Sequence, residues 1–162
     1  MNLVVNASPL VFLGNAGRLE LLRELGGGRI AVPSVVLQEV ISSSHRDRAS
    51  SAVEAATWIE AIQPLEIPTA LARWGLDPGE EQVIAAGLAT PRVRLVVDDL
   101  AGRKCALAHR LELIGTLGVV VAAHRRGLVD DPARVLAELE TAGMWLSPSV
   151  IARALAIAKA TS

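Results

Sequence analysis

The pattern of apolar and polar positions predicts short strands that alternate with helices. Strands are predicted where aliphatic and β-branched residues run together, and helices where apolar residues recur three or four positions apart. The predicted strands cover residues 3–5, 29–32, 65–67, 94–97 and 112–115, with 65–67 at an edge. The predicted helices cover residues 10–25 with a break at 15–17, then 34–41, 51–62, 78–89, 100–110, 116–126, 133–143 and 148–160. This alternation predicts an α/β fold with a mainly parallel sheet covered by helices on both faces.

The strongest predicted helix start lies at Asp77. Asp77 is suited to cap the helix, Pro78 to occupy its first position, and Glu80 to close a capping box. Ser8 and Pro9 predict a similar start for the first helix, with Ser8 as the cap. The glycines at 26–28 end a helix and precede a strand, which is the reverse of the order in a phosphate-binding loop. They therefore predict a helix stop and not a dinucleotide site.

Length, composition and charge limit the classes of protein to consider. A chain of 162 residues suits one domain with a sizeable core. That core is aliphatic, because 51% of the residues are hydrophobic while the chain has one Phe and no Tyr. Stacking on nucleic acid bases is therefore not expected to dominate binding. With 16 basic against 17 acidic residues, the chain is not a uniformly basic nucleic-acid binder.

Cysteines, histidines and long apolar runs give little support to redox, zinc or membrane functions. The single Cys105 excludes an internal disulfide and a thiolate cluster, and it fits a reducing cytoplasm. His45, His109 and His124 show no HExxH spacing, so we expect surface or half-buried histidines and not a zinc site. We expect a soluble cytoplasmic protein without membrane contact, because no membrane-length apolar run and no secretion signal occur.

Two adjacent carboxylates, Asp98 and Asp99, end the predicted strand at 94–97. Burying both without a positive partner would cost a large desolvation energy. Ligands bind at the carboxyl ends of strands in α/β sheets, so a bound divalent cation is one interpretation. The alternative is that Asp98 caps the helix that begins near Leu100 while Asp99 faces water.

Three further residues are candidates to join this acidic pair. Asn6 ends the first strand, Glu39 lies among apolar residues of a helix, and Glu80 lies in the first turn of a later helix. A single helical Glu is more often a solvated charge, and Glu80 also has the capping-box role. We expect Glu80, and not its neighbour Glu81, to face inward, because Glu80 borders the apolar face of its helix.

Five short motifs follow one another along the chain: Val4-Val5-Asn6-Ala7-Ser8-Pro9-Leu10, Val32-Pro33 with Glu39-Val40, Gly79-Glu80 with Ile84-Ala85, Val97-Asp98-Asp99, and Gly115-Thr116-Leu117-Gly118. In this order they resemble the motifs of the PIN-domain superfamily. The likeness spans residues 2–127, and residues 142–147 are similar to a poorly characterised prokaryotic branch related to toxin ribonucleases. It implies a PIN-like domain at residues 1–127 and a C-terminal helical extension, 128–162, packed on the same domain.

This resemblance implies an α/β three-layer sandwich whose acidic residues bind Mg²⁺ or Mn²⁺ and hydrolyse RNA. Glu39, Glu80 and Asp99 match the family's catalytic metal ligands, and Asp98 is an auxiliary or alternative ligand. Asn6 stands where the family has its first Asp. Its amide oxygen can ligate a hard cation but brings no negative charge, so weaker metal binding is expected.

Supporting and RNA-binding roles follow for other positions. Ser8 matches a small hydroxyl residue that hydrogen-bonds around the first acid, and Thr116 is expected to bond a loop or to cap a helix. Arg103 and Lys104 follow Asp99 by about one helical turn, where they could approach an RNA phosphate backbone. The alternative for both basic residues is an ordinary solvated helix face.

The functional hypothesis is a metal-dependent ribonuclease, with the toxin half of a toxin–antitoxin pair as one role. Expected partners are RNA, an antitoxin protein and a second copy of the chain, because the aliphatic surplus and the terminal helices offer a dimer interface. A catalytically weak or inactive PIN-like module that binds nucleic acid or protein is the alternative, consistent with Asn6. A phosphoacceptor receiver domain is disfavoured, because its acidic pair follows the first strand whereas this pair comes late.

Overall fold

A five-stranded parallel sheet lies at the centre of the part of the chain that the structure, a computed structural model, describes: residues 3–42 and 47–160. The strands are β1 (Leu3–Val5), β2 (Ile30–Pro33), β3 (Ile59–Ile62), β4 (Arg94–Val96) and β5 (Glu112–Ile114). Their order across the sheet is β3-β2-β1-β4-β5, and all four pairs of neighbours are parallel. The order changes direction at β1, so the carboxyl ends of β1 and β4 form a topological switch point.

Helices cover the sheet. The first four are α1 (Ala7–Asn15), α2 (Glu20–Gly26), α3 (Ser34–Ile41) and α4 (Arg48–Ala55). They are followed by a 3-10 helix (Thr69–Trp74), α5 (Pro78–Ala89), α6 (Leu100–Ala108), α7 (Thr116–Arg125), α8 (Pro132–Thr141) and α9 (Pro148–Lys159). Helix α2 packs against β1 and β2, while α5 packs against β1, β2 and β4. The predicted α/β sandwich with a parallel sheet is confirmed.

The core is aliphatic, and it fixes the position of the central strands. Val5, Val32, Leu95 and Val96 are buried, as expected for strands covered on both faces. Cys105 is a buried free cysteine in α6. In the described residues, no helix is both long and apolar enough to cross a membrane.

Two predicted elements between residues 51 and 67 are wrong. The predicted helix at 51–62 ends at Ala55, and Ile59–Ile62 is strand β3. This strand forms the sheet edge by pairing with β2 in register, from Ile30 with Ile59 to Pro33 with Ile62. The predicted edge strand at 65–67 is irregular chain. Alanine and glutamate favour a helix locally, but pairing with β2 overrides this preference.

The first helix also begins earlier than predicted. Helix α1 starts at Ala7 with Asn6 at its N-cap position, so neither Ser8 nor Pro9 marks the start. By contrast, the predicted capping box between Asp77 and Glu80 is confirmed at the start of α5.

The two last helices pack on the rest of the chain. Helix α8 contacts α1 and α7, and α9 contacts α7 and α8. Arg18 binds Glu138 through two hydrogen bonds, from Nε at 2.7 Å and from Nη2 at 3.0 Å. Leu136 and Leu139 of α8 are buried. These contacts support an extension packed on the same domain, and the boundary at residue 127 stays a prediction.

Candidate active site

Asn6 lies at the switch point of the sheet. Its backbone N–H donates to the carbonyl of Val96 at 3.0 Å, so the main chain at residue 6 continues the pairing of β1 with β4. The residue is 7% exposed, and its side chain makes no capping hydrogen bond to α1. Its amide is thus placed at the carboxyl end of the sheet by a fixed backbone.

Asp98 is bonded to the start of α7. Its Oδ1 accepts from the backbone N–H of Thr116 at 2.7 Å, and its Oδ2 accepts from the Thr116 hydroxyl at 2.6 Å. Thr116 is completely buried and occupies the first position of α7, after the N-cap residue Gly115. Thr116 is therefore not a cap itself, and Asp98 joins the end of β4 to α7.

Asp99 caps α6. Its Oδ2 accepts from the backbone N–H groups of Ala101 at 2.7 Å and Gly102 at 3.2 Å. The interpretation that Asp98 caps this helix is wrong, because the neighbouring residue does so. Burial acts to raise the pKa of Asp99, but hydrogen bonds from Gly102, Glu80 and Ala101 outweigh it, so the pKa is lowered.

Glu80 is the buried acid of the site, 6% exposed. Its Oε2 accepts from the backbone N–H of Asp77 at 3.0 Å, and its own N–H donates to Asp77 Oδ1 at 2.8 Å. Burial, with smaller contributions from the charges of Asp77 and Asp99, raises the pKa of Glu80 to about 7, against the opposing hydrogen bond from Asp77. Glu80 and Asp99 are close enough to share a proton, with Glu80 donating and Asp99 accepting.

Glu39 lies on the exposed side of α3 and faces Asp77. Burial and then the charge of Asp77 raise the pKa of Glu39. A Cβ atom on Gly79 would lie 3.3 Å from Asp77 Oδ1 and 3.5 Å from Glu39 Oε2. Asp77 is therefore an acid of this site that the sequence indicated only as a helix cap. The sequence did contain one indication that Asp77 lies near the site, because Asp77 is only three residues before Glu80.

Three glycines lie beside four of these carboxyl groups. In addition to Gly79, a Cβ atom on Gly102 would lie 3.4 Å from Glu80 Oε1. One on Gly115 would lie 2.9 Å from Asp98 Oδ1. The absence of these three side chains keeps space open around oxygen atoms that carry negative charge.

The donor set fits a hard cation by its chemistry. Asn6, Glu39, Glu80, Asp98 and Asp99 offer only oxygen ligands, which suit Mg²⁺ and Mn²⁺. In the described part of the chain, no three acidic, histidine or cysteine side chains are grouped closely enough to hold an ion by themselves. Mg²⁺ usually keeps several waters and binds one or two carboxylates, a number that the neighbouring carboxyl groups of Glu80 and Asp99 could supply.

Comparison with known proteins identifies the family. A family model described as a PIN domain matches residues 2–160. The chain belongs to the PIN-domain family. This membership shows a nuclease-type fold, and PIN domains generally depend on divalent metals. Neither the curated proteins nor the solved structures gave a match.

Other predicted residues of this PIN domain take different positions. Arg103 is half-buried and donates from Nη1 to the carbonyl of Val97 at 2.8 Å. Its guanidinium therefore lies beside the acidic pair, whereas Lys104 is exposed on the same helix. Ser8 is half-buried in the first turn of α1.

The histidines of the PIN domain lie on other elements. Nδ1 of His109 is 2.9 Å from the carbonyl of Cys105, and Nδ1 of His124 is 2.7 Å from that of Val129. Both contacts are local to the ends of α6 and α7. His45 lies outside the described residues.

Proposed function

We propose that this PIN domain is a metal-dependent ribonuclease that hydrolyses RNA phosphodiester bonds with Mg²⁺ or Mn²⁺. The observation that supports it most is that Glu80, which is buried, lies near Asp99, which is exposed, at the switch point of the sheet. Glu80, Asp99 and Asn6 would hold the ion, with Glu39 and Asp98 as further ligands. When bound, the metal would supply Lewis-acid activation of water and stabilisation of the leaving oxygen.

The residues of the chain prepare this pair in different ways. Two helix N–H groups bind Oδ2 of Asp99 and so fix the position of its carboxyl group. The second oxygen, Oδ1, accepts neither of these two bonds. Glu80 is fixed by the capping box, and its raised pKa favours the protonated form, which relieves repulsion from Asp99. A cation would replace this proton as the source of positive charge, which is why a carboxylate pair of this kind suits metal binding.

Asn6 weakens the proposed metal site without removing a ligand. Its amide oxygen is an acceptable donor to a hard cation, but the total negative charge is one unit lower than with Asp. We propose that the protein retains catalysis and needs a higher metal concentration than a variant with Asp at this position.

RNA would reach the site along α6. The guanidinium of Arg103 is anchored to the Val97 carbonyl and has further N–H donors, while Lys104 is exposed one residue later. Both can contact phosphate groups by charge, which sets position along the chain and not base sequence. We propose single-stranded RNA as the substrate class.

The proposal extends to cellular role and assembly. A toxin ribonuclease inhibited by an antitoxin protein is the role proposed, with a homodimer as the assembly. Growth arrest on expression that a small adjacent gene reverses would support the role. A single-protomer mass by light scattering at micromolar concentration would contradict the dimer.

The decisive experiment is cleavage of an end-labelled single-stranded RNA in 5 mM MnCl₂ and in EDTA. Asp99→Asn is the key variant, because Asn still caps a helix and only the charge is lost. Glu81→Gln is the matched control, since Glu81 neighbours Glu80 but is not the buried acid. Cleavage that needs Mn²⁺, disappears in Asp99→Asn and persists in Glu81→Gln supports the proposal. Cleavage retained in Asp99→Asn contradicts the site.

A non-catalytic binding module is the second candidate. It is favoured by the hydrogen bonds that Asp98 and Asp99 already make to α7 and α6, together with the neutral Asn6. RNA binding in EDTA without cleavage in Mn²⁺, in both the wild type and Asn6→Asp, would support this candidate over the enzyme.

A further inference from the structure

A cavity of about 740 Å³ lies between α7, α9 and the sheet. Among the described residues that line it, none is a predicted metal ligand. Its volume falls within the range of roughly 300–1,000 Å³ that is common for small-molecule sites. Of the described residues assigned to the acidic site and its RNA path, Arg103 alone lines this space, so the cavity requires its own explanation.

The walls combine two chemistries. One part is aliphatic: Leu3 of the sheet is buried, Ile114, Leu117 and Val121 are half-buried, and Val150 and Ile157 of α9 are exposed. The other part is cationic and consists of Arg94, Arg103, Arg125, Arg126 and Arg153. No Asp or Glu occurs among the described lining residues. Five guanidinium groups therefore surround an apolar space in a chain whose formal net charge is −1.

Arg94 pairs with a carboxylate, whereas Arg103, Arg125 and Arg126 donate to main-chain carbonyls, Arg125 from Nη2 to that of Ile157 at 3.4 Å. Arg94 pairs with Glu112 at 3.0 Å. Arg103 and Arg126 donate to main-chain carbonyls, of Val97 at 2.8 Å and of Glu24 at 3.2 Å, which carry no net charge. A guanidinium has five N–H donors, so one such bond leaves others for a ligand.

We propose that this cavity binds a small amphiphilic anion, an aliphatic chain that ends in a carboxylate or a phosphate. The aliphatic walls would cover the chain, and the guanidinium groups would bind the anionic end by paired hydrogen bonds. RNA fits these walls less well, because none of the described lining residues is aromatic and the aliphatic part would desolvate a polar backbone.

Calorimetry in EDTA with octanoate and octyl phosphate, below their micelle concentrations, tests the ligand class. Octanol and inorganic phosphate supply the apolar and anionic parts separately. Both amphiphiles are expected to bind at least tenfold more tightly than octanol or phosphate. Equal binding of octanol, or no binding of either amphiphile at millimolar concentration, would overturn the proposal.

Two variants locate the binding. Arg153→Gln removes one lining charge, and Ala122→Phe fills the space without changing charge, so each is expected to weaken octanoate binding at least fivefold. Arg73→Gln changes an exposed arginine of the 3-10 helix outside the cavity and should leave binding unchanged. Circular dichroism melting of each variant separates lost binding from lost folding. Unchanged octanoate affinity in both folded cavity variants would overturn the proposal.

Two other ligands of the cavity, RNA and a membrane lipid, would give different results in binding experiments. Labelled single-stranded RNA that binds less tightly to Arg153→Gln, without any octanoate binding, would identify an RNA surface. Cosedimentation with phosphatidylglycerol vesicles that depends on Arg153, again without octanoate binding, would identify a membrane lipid. Either result overturns a soluble small-molecule site. Because all arms use EDTA and binding alone, they do not depend on the proposed nuclease activity.

Discussion

The carboxylate of Asp98 binds both the backbone N–H and the hydroxyl of Thr116, at 2.7 Å and 2.6 Å. One acid of the Asp98–Asp99 pair therefore joins β4 to α7, while the other caps α6. The pair holds the ends of two helices at the switch point. Its first contribution is to the shape of the candidate site.

Asp98→Ala should destabilise the protein by about 2–3 kcal/mol, because it leaves a buried hydroxyl and N–H of Thr116 without their acceptor. Urea unfolding followed by circular dichroism measures this loss. Asp98→Asn keeps one acceptor oxygen and should lose less. Equal stability of Asp98→Ala and the wild type would show that the two bonds contribute nothing.

Asp99→Asn should keep the free energy of unfolding within about 0.5 kcal/mol of the wild type, because Asn is an equally good helix cap. If Asp99 is a metal ligand, RNA cleavage should fall about 100-fold or more, a loss of about 2.7 kcal/mol in transition-state stabilisation. Removal of the metal with EDTA should abolish the remaining cleavage. Strong destabilisation of Asp99→Asn with normal RNA cleavage would contradict the role of Asp99 as a metal ligand.

Asn6→Asp should raise Mn²⁺ affinity about tenfold, because it adds one negative charge next to the proposed ion. Titration calorimetry of both proteins measures the change. Thr90→Asp is a suitable control, since it adds the same charge at an exposed residue, at the end of α5 opposite to Glu80. A similar gain in both variants would point to a general charge effect.

The metal-free protein should become less stable as pH rises from about 5 to 8. The pKa of Glu80 is raised from 4.5 to about 7 in the folded state, so the native protein binds more protons than the unfolded chain in that window. Stability from this group is complete below pH 4.5 and is lost as pH passes about 7. The lowered pKa of Asp99 acts only at lower pH.

Melting temperatures in EDTA at several pH values test this dependence. Glu80→Gln can still accept the hydrogen bond from Asp77 but cannot titrate, so its melting temperature should depend less on pH than that of the wild type. Glu81→Gln should retain the wild-type dependence. If the melting temperatures of Glu80→Gln and the wild type depended on pH in the same way, this would contradict the raised pKa of Glu80.

Leu139→Ala should destabilise the protein by about 2–4 kcal/mol, because Leu139 of α8 is completely buried. Leu107→Ala, at a leucine that is 63% exposed, should cost far less. A small effect at Leu139 in urea unfolding would show that α8 contributes little to the stability of the domain.

The sequence predicted the elements whose signals are local. The cap, proline and glutamate at residues 77–80 are sufficient to start α5, and the buried strand at 94–96 follows from its apolar run. Strand β3 could not be found in this way, because its Ala and Glu residues suit a helix and only pairing with β2 makes it a strand.

The different roles of Asp98 and Asp99 could also not be predicted from their neighbours in the sequence. Neighbouring side chains of an extended segment point in opposite directions, so one of the two had to face α6 and the other elsewhere. Which one did so depends on where α7 begins, and that is set by β5 and the packing of distant residues. The effect of the Asp77 charge on the pKa of Glu39 likewise depends on the packing of α3 against α5, which are far apart in the chain.

The backbone bond from Asn6 to Val96 has a consequence for how such a protein can change. Asn and Asp have the same shape, and the main chain at residue 6 is fixed by the sheet whichever is present. A single substitution can therefore adjust the electrostatic strength of the site while the scaffold stays the same. If Asn6 is a metal ligand, a lineage of such proteins can change its dependence on metal concentration separately from folding.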